Sequence, residues 1–173
     1  MDIELIRNSI RNVPDFPKQG IQFKDITTLL QDIDAFQETI DIFYQQFKDK
    51  KIEAIVGIES RGFIFAAPLA LKLGCSLAIA RKPGKLPYET VSAEYSLEYG
   101  LDTLELHTDA IKKGDRVLIV DDLLATGGTA NAVGELVKKL KGDIVCFSLL
   151  INLVELKGVN MLKRHQVFCI VEY

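Results

Sequence analysis

The run over residues 117–129, V-L-I-V-D-D-L-L-A-T-G-G-T, constrains the fold more than any other part of the chain. Its first four residues are apolar and mostly β-branched, which predicts a strand buried on both faces and ending at Val120. Asp121 and Asp122 then stand at the strand's end, followed by a small-residue loop, Ala125-Thr126-Gly127-Gly128-Thr129. Beyond it, Ala132, Val133, Leu136, Val137 and Leu140 have the spacing of one buried helix face. The glycines let backbone N–H groups approach an anion, the helix N-terminus adds partial positive charge, and the threonine hydroxyls can donate. Such a loop suits a phosphate monoester. The carboxylates would repel that phosphate, so Asp121 and Asp122 must face vicinal hydroxyls or a metal carried by the ligand. Phosphate at one end and a diol beside it describe a ribose 5-phosphate. An isolated D-D or G-G would more simply be a turn in which Asp122 and Thr126 cap a helix; the whole run is harder to explain that way. No lysine follows the glycines as a P-loop requires, and there is no G-x-G-x-x-G.

The same logic repeats earlier. Residues 53–58, E-A-I-V-G-I, predict a buried strand running into Glu59-Ser60-Arg61-Gly62 and then an apolar helix over about 63–73. This is a second candidate anion site, where Arg61 can bind phosphate bidentately. Ser60 is not a nucleophile, because Ile58 stands where G-x-S-x-G needs its first glycine. Residues 76–80 form a third strand and lead into R-K-P-G-K-L-P-Y-E-T, which carries Arg81, Lys82 and Lys85. By composition that is a solvated basic loop; functionally, mobile cations make a lid over an anionic leaving group. Residues 93–99 and 102–108 alternate around Gly100 and predict a hairpin.

Elsewhere, residues 2–11 predict a helix capped by Asp2 and ended by Pro14, with a loop over 14–20 and a short extended segment over 21–26. A helix is expected over 34–48 with Asp34 as its cap, a strand over 143–151, a short helix over 155–163 and a last strand over 167–171. The alternation of strand and helix gives the fold class: α/β, a doubly wound, mostly parallel sheet with helices on both faces. Ligand sites then belong at the C-terminal ends of strands, after Ile58, Ala80, Val120 and, less directly, Ile151.

These motifs together resemble the type I phosphoribosyltransferase family. L-L-A-T-G-G-T resembles its phosphoribosyl-pyrophosphate signature in the form typical of the adenine-specific branch. D-F-P-x-x-G-I-x-F-[KR]-D-I-T is similar to the branch's purine-binding segment. The resemblance implies that Phe23 stacks on the base, that main-chain groups of Gln22 and Lys24 read its edge, and that Leu123 packs on its other side. Lys24 stands where arginine is frequent. E-S-R-G resembles the pyrophosphate loop, which implies a role for Glu59, Ser60 and Arg61 there; a non-proline cis peptide is common at this loop. G-K-L-P-x-x-T with Y-S-L-E-Y-G resembles the catalytic lid, which implies Glu98 for proton transfer at the purine and Tyr99 in the same closing segment. The implied reaction moves phosphoribosyl from phosphoribosyl pyrophosphate to adenine, giving AMP and pyrophosphate. Arg61, Arg81, Lys82 and Lys85 would offset the charge on the departing pyrophosphate. Magnesium should arrive with the substrate, with few direct protein ligands. The resemblance also implies a single domain over 1–173 with an N-terminal hood over about 1–30 and a flexible lid over about 82–108, and a homodimer.

Composition excludes several alternatives. With 24 acidic and 21 basic residues, net charge is −3, which argues against a nucleic-acid-coating surface. No apolar run reaches membrane-spanning length and no signal peptide is expected, so the location implied is cytoplasmic. Cys75, Cys146 and Cys169 are widely spaced and predict reduced thiols, and His107 and His165 do not suggest a zinc site. Two readings remain beside adenine transfer. One is transfer to a 6-oxopurine, with the same sugar-phosphate site and a different hood. The other is a ligand-sensing regulator, disfavoured by the acidic balance and by lid cations a non-enzyme would not need.

Overall fold

The structure, a computed structural model, describes residues 1–97 and 100–173. Its centre is a five-stranded sheet of β3 (Ala54–Ile58), β4 (Ser76–Ala80), β7 (Arg116–Leu124), β8 (Asp143–Asn152) and β9 (Val167–Glu172). The strand order is β4-β3-β7-β8-β9 and every pairing in it is parallel. Parallel strands need crossovers, and these place helices on the sheet's faces. Helices α3 (Ile33–Phe47) and α4 (Gly62–Leu73) cover one face, where Ile55, Leu118 and Val120 meet Phe43, Phe47 and Phe65. The other face carries α5 (Gly128–Lys139), whose Val133, Leu136 and Val137 meet Val56, Val117 and Ile119. Alternate residues of β3 and β7 therefore serve opposite cores, the period of an extended strand. Each large side chain buried this way contributes about 1.5–3 kcal/mol.

An antiparallel hairpin, β5 (Thr90–Leu97) and β6 (Gly100–His107), lies against α5 and buries Ala93, Tyr95, Leu104 and Leu106 in the second core. At the start of the chain, α1 (Ile3–Ser9) is followed by β1 (Arg11–Pro14), β2 (Gln22–Asp25) and the short α2 (Thr27–Gln31). All three cysteines are free, and Cys146 is buried. Among the described residues, no helix is long and apolar enough to cross a membrane.

Several local expectations are corrected. The first helix stops at Ser9 rather than running toward Pro14, because Ile10 is extended and residues 11–14 pair with residues 22–25. Val13 is β-branched and precedes proline, and both features favour extended backbone. Asp32, not Asp34, caps α3: its carboxylate accepts from the N–H groups of Asp34 and Ala35 at 3.1 and 3.2 Å. The helix over 155–163 is instead two 3₁₀ turns, Val154–Leu156 and Gly158–Leu162, separated by Lys157 at φ 54°. Most relevant to the site, β7 does not end at Val120. It continues through the acidic pair to Leu124, because β8 runs beside it as far as Asn152 and pairs with Asp121, Leu123 and Leu124.

Candidate active site

The strand order reverses between β3 and β7, and in open parallel sheets a crevice forms at the C-terminal ends of the two strands flanking such a reversal. A cavity of about 370 Å³ lies there. The turn after β3 lines it with Glu59, Ser60 and Arg61. Residues 121–130 line it from β7 and the start of α5, and Lys82, Tyr95 and Leu104 close it from the loop and hairpin.

The turn into α5 is built from backbone. Gly127 is the N-terminal cap at φ 88°, a conformation that favours glycine, and no side chain caps the helix. The positive end of α5 is thus left without an internal acceptor, as an anion site requires. The loop is also packed from behind. A β-carbon on Gly127 would stand 2.6 Å from the Gly158 carbonyl oxygen, and one on Gly158 would run into the Ala125 carbonyl.

The acidic pair sits beside this loop. Asp122 is only 4% exposed. Arg61 Nη2 lies 3.0 Å from its Oδ2, yet that buried oxygen has no aligned hydrogen bond. The Asp122 N–H donates to Asp121 Oδ1 at 2.9 Å. Burial, reinforced by the neighbouring Asp122 charge, pushes the Asp121 carboxyl well above the usual range. Burial also raises Asp122, against the pull of Arg61. Two desolvated carboxylates with an unfilled oxygen form a site that hydroxyl donors or a cation would relieve.

The cations opposite are already partnered. Glu59 is ion-paired with Lys85, approaches Arg81 Nε at 3.4 Å, and accepts the Lys82 backbone N–H at 2.7 Å. Burial would raise the Glu59 carboxyl, but the Lys85, Lys82 and Arg81 donors outweigh it and lower it to about 2. The Lys82 ammonium pairs with Asp102 and donates to Tyr95 Oη at 2.9 Å. The Glu59–Ser60 peptide is cis.

The N-terminal ribbon stands beside this arrangement. Phe23 meets Phe16 edge to face at 5.1 Å, and the Arg61 guanidinium lies 5.3 Å from the Phe23 ring centroid. The Lys24 ammonium is turned elsewhere, donating to Asn12 Oδ1 at 3.1 Å and lying 3.9 Å from the Tyr173 ring centroid. Gln22 accepts from Asn12 at 2.7 Å.

Comparison with known proteins agrees with this geometry. Residues 25–163 match the model of the phosphoribosyl transferase domain family. An adenine phosphoribosyltransferase from Anaeromyxobacter sp. is 56% identical over 171 residues, covering 99% of this chain and 97% of that protein. One from Brachyspira hyodysenteriae is 55% identical, covering 97% and 99%. The chain belongs to the adenine phosphoribosyltransferase family. Among solved structures, the family member from Thermoanaerobacter pseudethanolicus superposes with a TM-score of 0.96 at 47% identity, covering 99% of each chain. The Saccharomyces cerevisiae member, solved with an imino-altritol bisphosphate and adenine, gives 0.93 at 40% identity, covering 98% of each chain.

Measured against the adenine phosphoribosyltransferase motifs, the structure gathers most residues singled out in the sequence. Glu59, Ser60, Arg61, Lys82, Asp121, Asp122, Leu123, Ala125, Thr126, Gly127, Gly128 and Thr129 all line one cavity. Arg81 and Lys85 are not in its wall and reach it through Glu59. Gln22, Phe23 and Lys24 also lie outside the wall, with Phe23 joined to it by Arg61. Glu98 and Tyr99 lie outside the described residues. Sequence reasoning missed Tyr95, Asp102 and Gly158. Asp102 and Tyr95 were visible only as members of an alternating hairpin, and nothing in the motif grammar marks Gly158 as the support of a loop thirty residues earlier.

Proposed function

We propose that the protein transfers the 5-phosphoribosyl group from phosphoribosyl pyrophosphate to adenine, producing AMP and pyrophosphate. The observation that carries this reading is the shared cavity, where an uncapped helix N-terminus, a desolvated acidic pair and a set of cations face one another. The names of the relatives supply the adenine. The α5 turn holds the 5′-phosphate, with Thr126 and Thr129 adding hydroxyl donors. Asp121 and Asp122 accept from the ribose hydroxyls and stabilise positive charge at C1′ as the bond to pyrophosphate breaks. A bond from adenine N9 to C1′ forms, and the N9 proton passes to a base, the role proposed for Glu98 with Tyr99 in the same lid. Arg61, Lys82, Lys85 and Arg81 take the negative charge of the departing pyrophosphate, so Arg61 and Lys85 act in catalysis as well as binding. Phe23, with Leu123 and the main chain at Gln22 and Lys24, forms the adenine platform; the Lys24 side chain's engagement with Asn12 and Tyr173 fits a role for its backbone alone.

Magnesium fits the same donors. Asp122 Oδ2 is buried without a hydrogen bond, and oxygen is the ligand type this ion prefers. The ion would arrive bound to phosphoribosyl pyrophosphate, as the family resemblance implies. There it would neutralise pyrophosphate charge.

The reading includes one domain over 1–173, with a hood over about 1–30 and a lid over about 82–108, acting in the cytoplasm away from membrane and nucleic acid. A homodimer is supported by an apolar edge: Ile64 and Leu71 on α4, with Leu77 and Ile79 on the edge strand β4, are exposed. The test is pyrophosphate release from phosphoribosyl pyrophosphate with adenine, hypoxanthine, guanine or xanthine. Adenine should support turnover; preference for an oxopurine would sink the assignment.

A further inference from the structure

We infer that Asp102 and Tyr95 are positioning residues for the leaving-group end of the reaction, holding the Lys82 ammonium at the cavity wall. This rests on the reading of Lys82 as a pyrophosphate ligand. A lysine on a loop has a long, flexible stem, and a cation that must be ordered at each encounter contributes less than one already in place. Lys82 is held at both ends. Its backbone N–H is fixed by Glu59 at 2.7 Å, and its Nζ donates to Tyr95 Oη at 2.9 Å and to Asp102. The partners hold each other: Tyr95 Oη donates to Asp102 Oδ2 at 3.0 Å, and the Thr103 N–H donates to Asp102 Oδ1 at 2.8 Å.

The anchor belongs to the packed body of the hairpin, because Tyr95 is 8% exposed and sits in the core with Ala93, Leu104 and Leu106. Its ring also lies 5.4 Å from the Lys82 ammonium. The charges respond accordingly. Burial pulls the Lys82 ammonium down, but hydrogen bonds to Asp102 and Tyr95 outweigh it and raise the group above its ordinary value. The Lys82 hydrogen bond lowers Asp102 against the effect of its burial. An ion pair serving stability alone has no reason to bring its lysine to the wall of the substrate cavity, where Lys82 and Tyr95 both stand.

The test is a double-mutant cycle read as KM for phosphoribosyl pyrophosphate, KM for adenine and kcat. Asp102→Asn should raise KM for phosphoribosyl pyrophosphate about tenfold, with kcat and KM for adenine moving less than about threefold. Tyr95→Phe should move it about threefold in the same direction. In a Lys82→Ala background either change should add less than about twofold, since the group being positioned is gone. Loss of structure would instead lower the activity of the Lys82→Ala protein further, so full additivity overturns the inference. So does an unchanged or lowered KM in Asp102→Asn when Lys82→Ala alone raises it, and that pattern leaves the Lys82 reading intact. If Lys82→Ala has no effect on KM for phosphoribosyl pyrophosphate, both fall. Should Asp102→Asn fold poorly, Tyr95→Phe with Lys82→Ala runs the same cycle.

Discussion

The turn after β7 and the turn after β3 share a plan, strand into helix at the crevice, but they handle charge differently. The β7 turn presents backbone: Gly127 in the left-handed region, an uncapped α5, and Gly158 packed behind. The β3 turn also leads into a helix without a side-chain cap, but it presents side chains, and the cations gathered around it are neutralised by protein carboxylates, Arg61 by Asp122, and Lys85 and Arg81 by Glu59. The first needs no rearrangement to receive a phosphate. The second must exchange partners when pyrophosphate is bound or released. A fixed anchor and an exchangeable one suit a reaction in which the 5′-phosphate stays attached to the sugar while the pyrophosphate departs.

The contrast breaks most readily at the backbone anchor. Gly127→Ala forces a side chain into positive φ and against the Gly158 carbonyl, and should lower kcat/KM for phosphoribosyl pyrophosphate about 100-fold. Steady-state kinetics checks this, and a loss below about threefold would show that the loop does not depend on that geometry. Gly158→Ala, at a position outside the cavity wall, should cost about tenfold in the same quantity by pushing on the Ala125 carbonyl. On the exchangeable side, Arg61→Lys should lower kcat/KM about tenfold, because a point charge replaces a planar fork. An equal effect on AMP binding and on pyrophosphate binding would erase the distinction between the two turns.

The acid stability of the ligand-free protein sharpens the comparison further. Glu59 is lowered from 4.5 to about 2 in the folded state, so its contribution is present above pH 4.5 and is lost as pH falls from there toward 2. Denaturant unfolding across that window should show a shallower pH dependence for Glu59→Gln than for the wild type. An unchanged slope would mean the Glu59 cluster is not formed before substrate binds. The smallest effect concerns salt: raising ionic strength should weaken pyrophosphate more than it weakens a 5′-phosphate monoester, since exposed side-chain cations are screened more than packed backbone dipoles.

Much of this was legible in sequence because each strand–turn–helix carries its own local grammar. The apolar run at 117–120, the glycines at 127 and 128 and the helical spacing from Ala132 mark a strand, a glycine turn and a helix start without any long-range information. What stayed hidden was set by neighbours. The extension of β7 through Asp121 and Asp122 depends on β8 lying alongside, and the strand at residues 11–14 exists because residues 22–25 pair with it. Asp34 suits the cap of α3 by residue type, but the chain is extended at Asp32 and helical from Ile33, so Asp32 takes that position. Tyr95 and Asp102 meet Lys82 through tertiary pairing, next to the bridge that joins Arg81 at the end of β4 to Glu105 of β6.

The pairing of β3 with β7 also bears on how the molecule acquires activity. Glu53 and Arg116, hydrogen-bonded at the foot of these strands, are 63 positions apart, so a long loop must close before the two turns share a crevice. Neither turn makes a site by itself. During refolding, helices α3 and α5 can form from local contacts, whereas catalysis must wait for the central strands to meet. Regain of turnover will therefore lag the early helical signal, and it reports completion of the sheet rather than of any one segment.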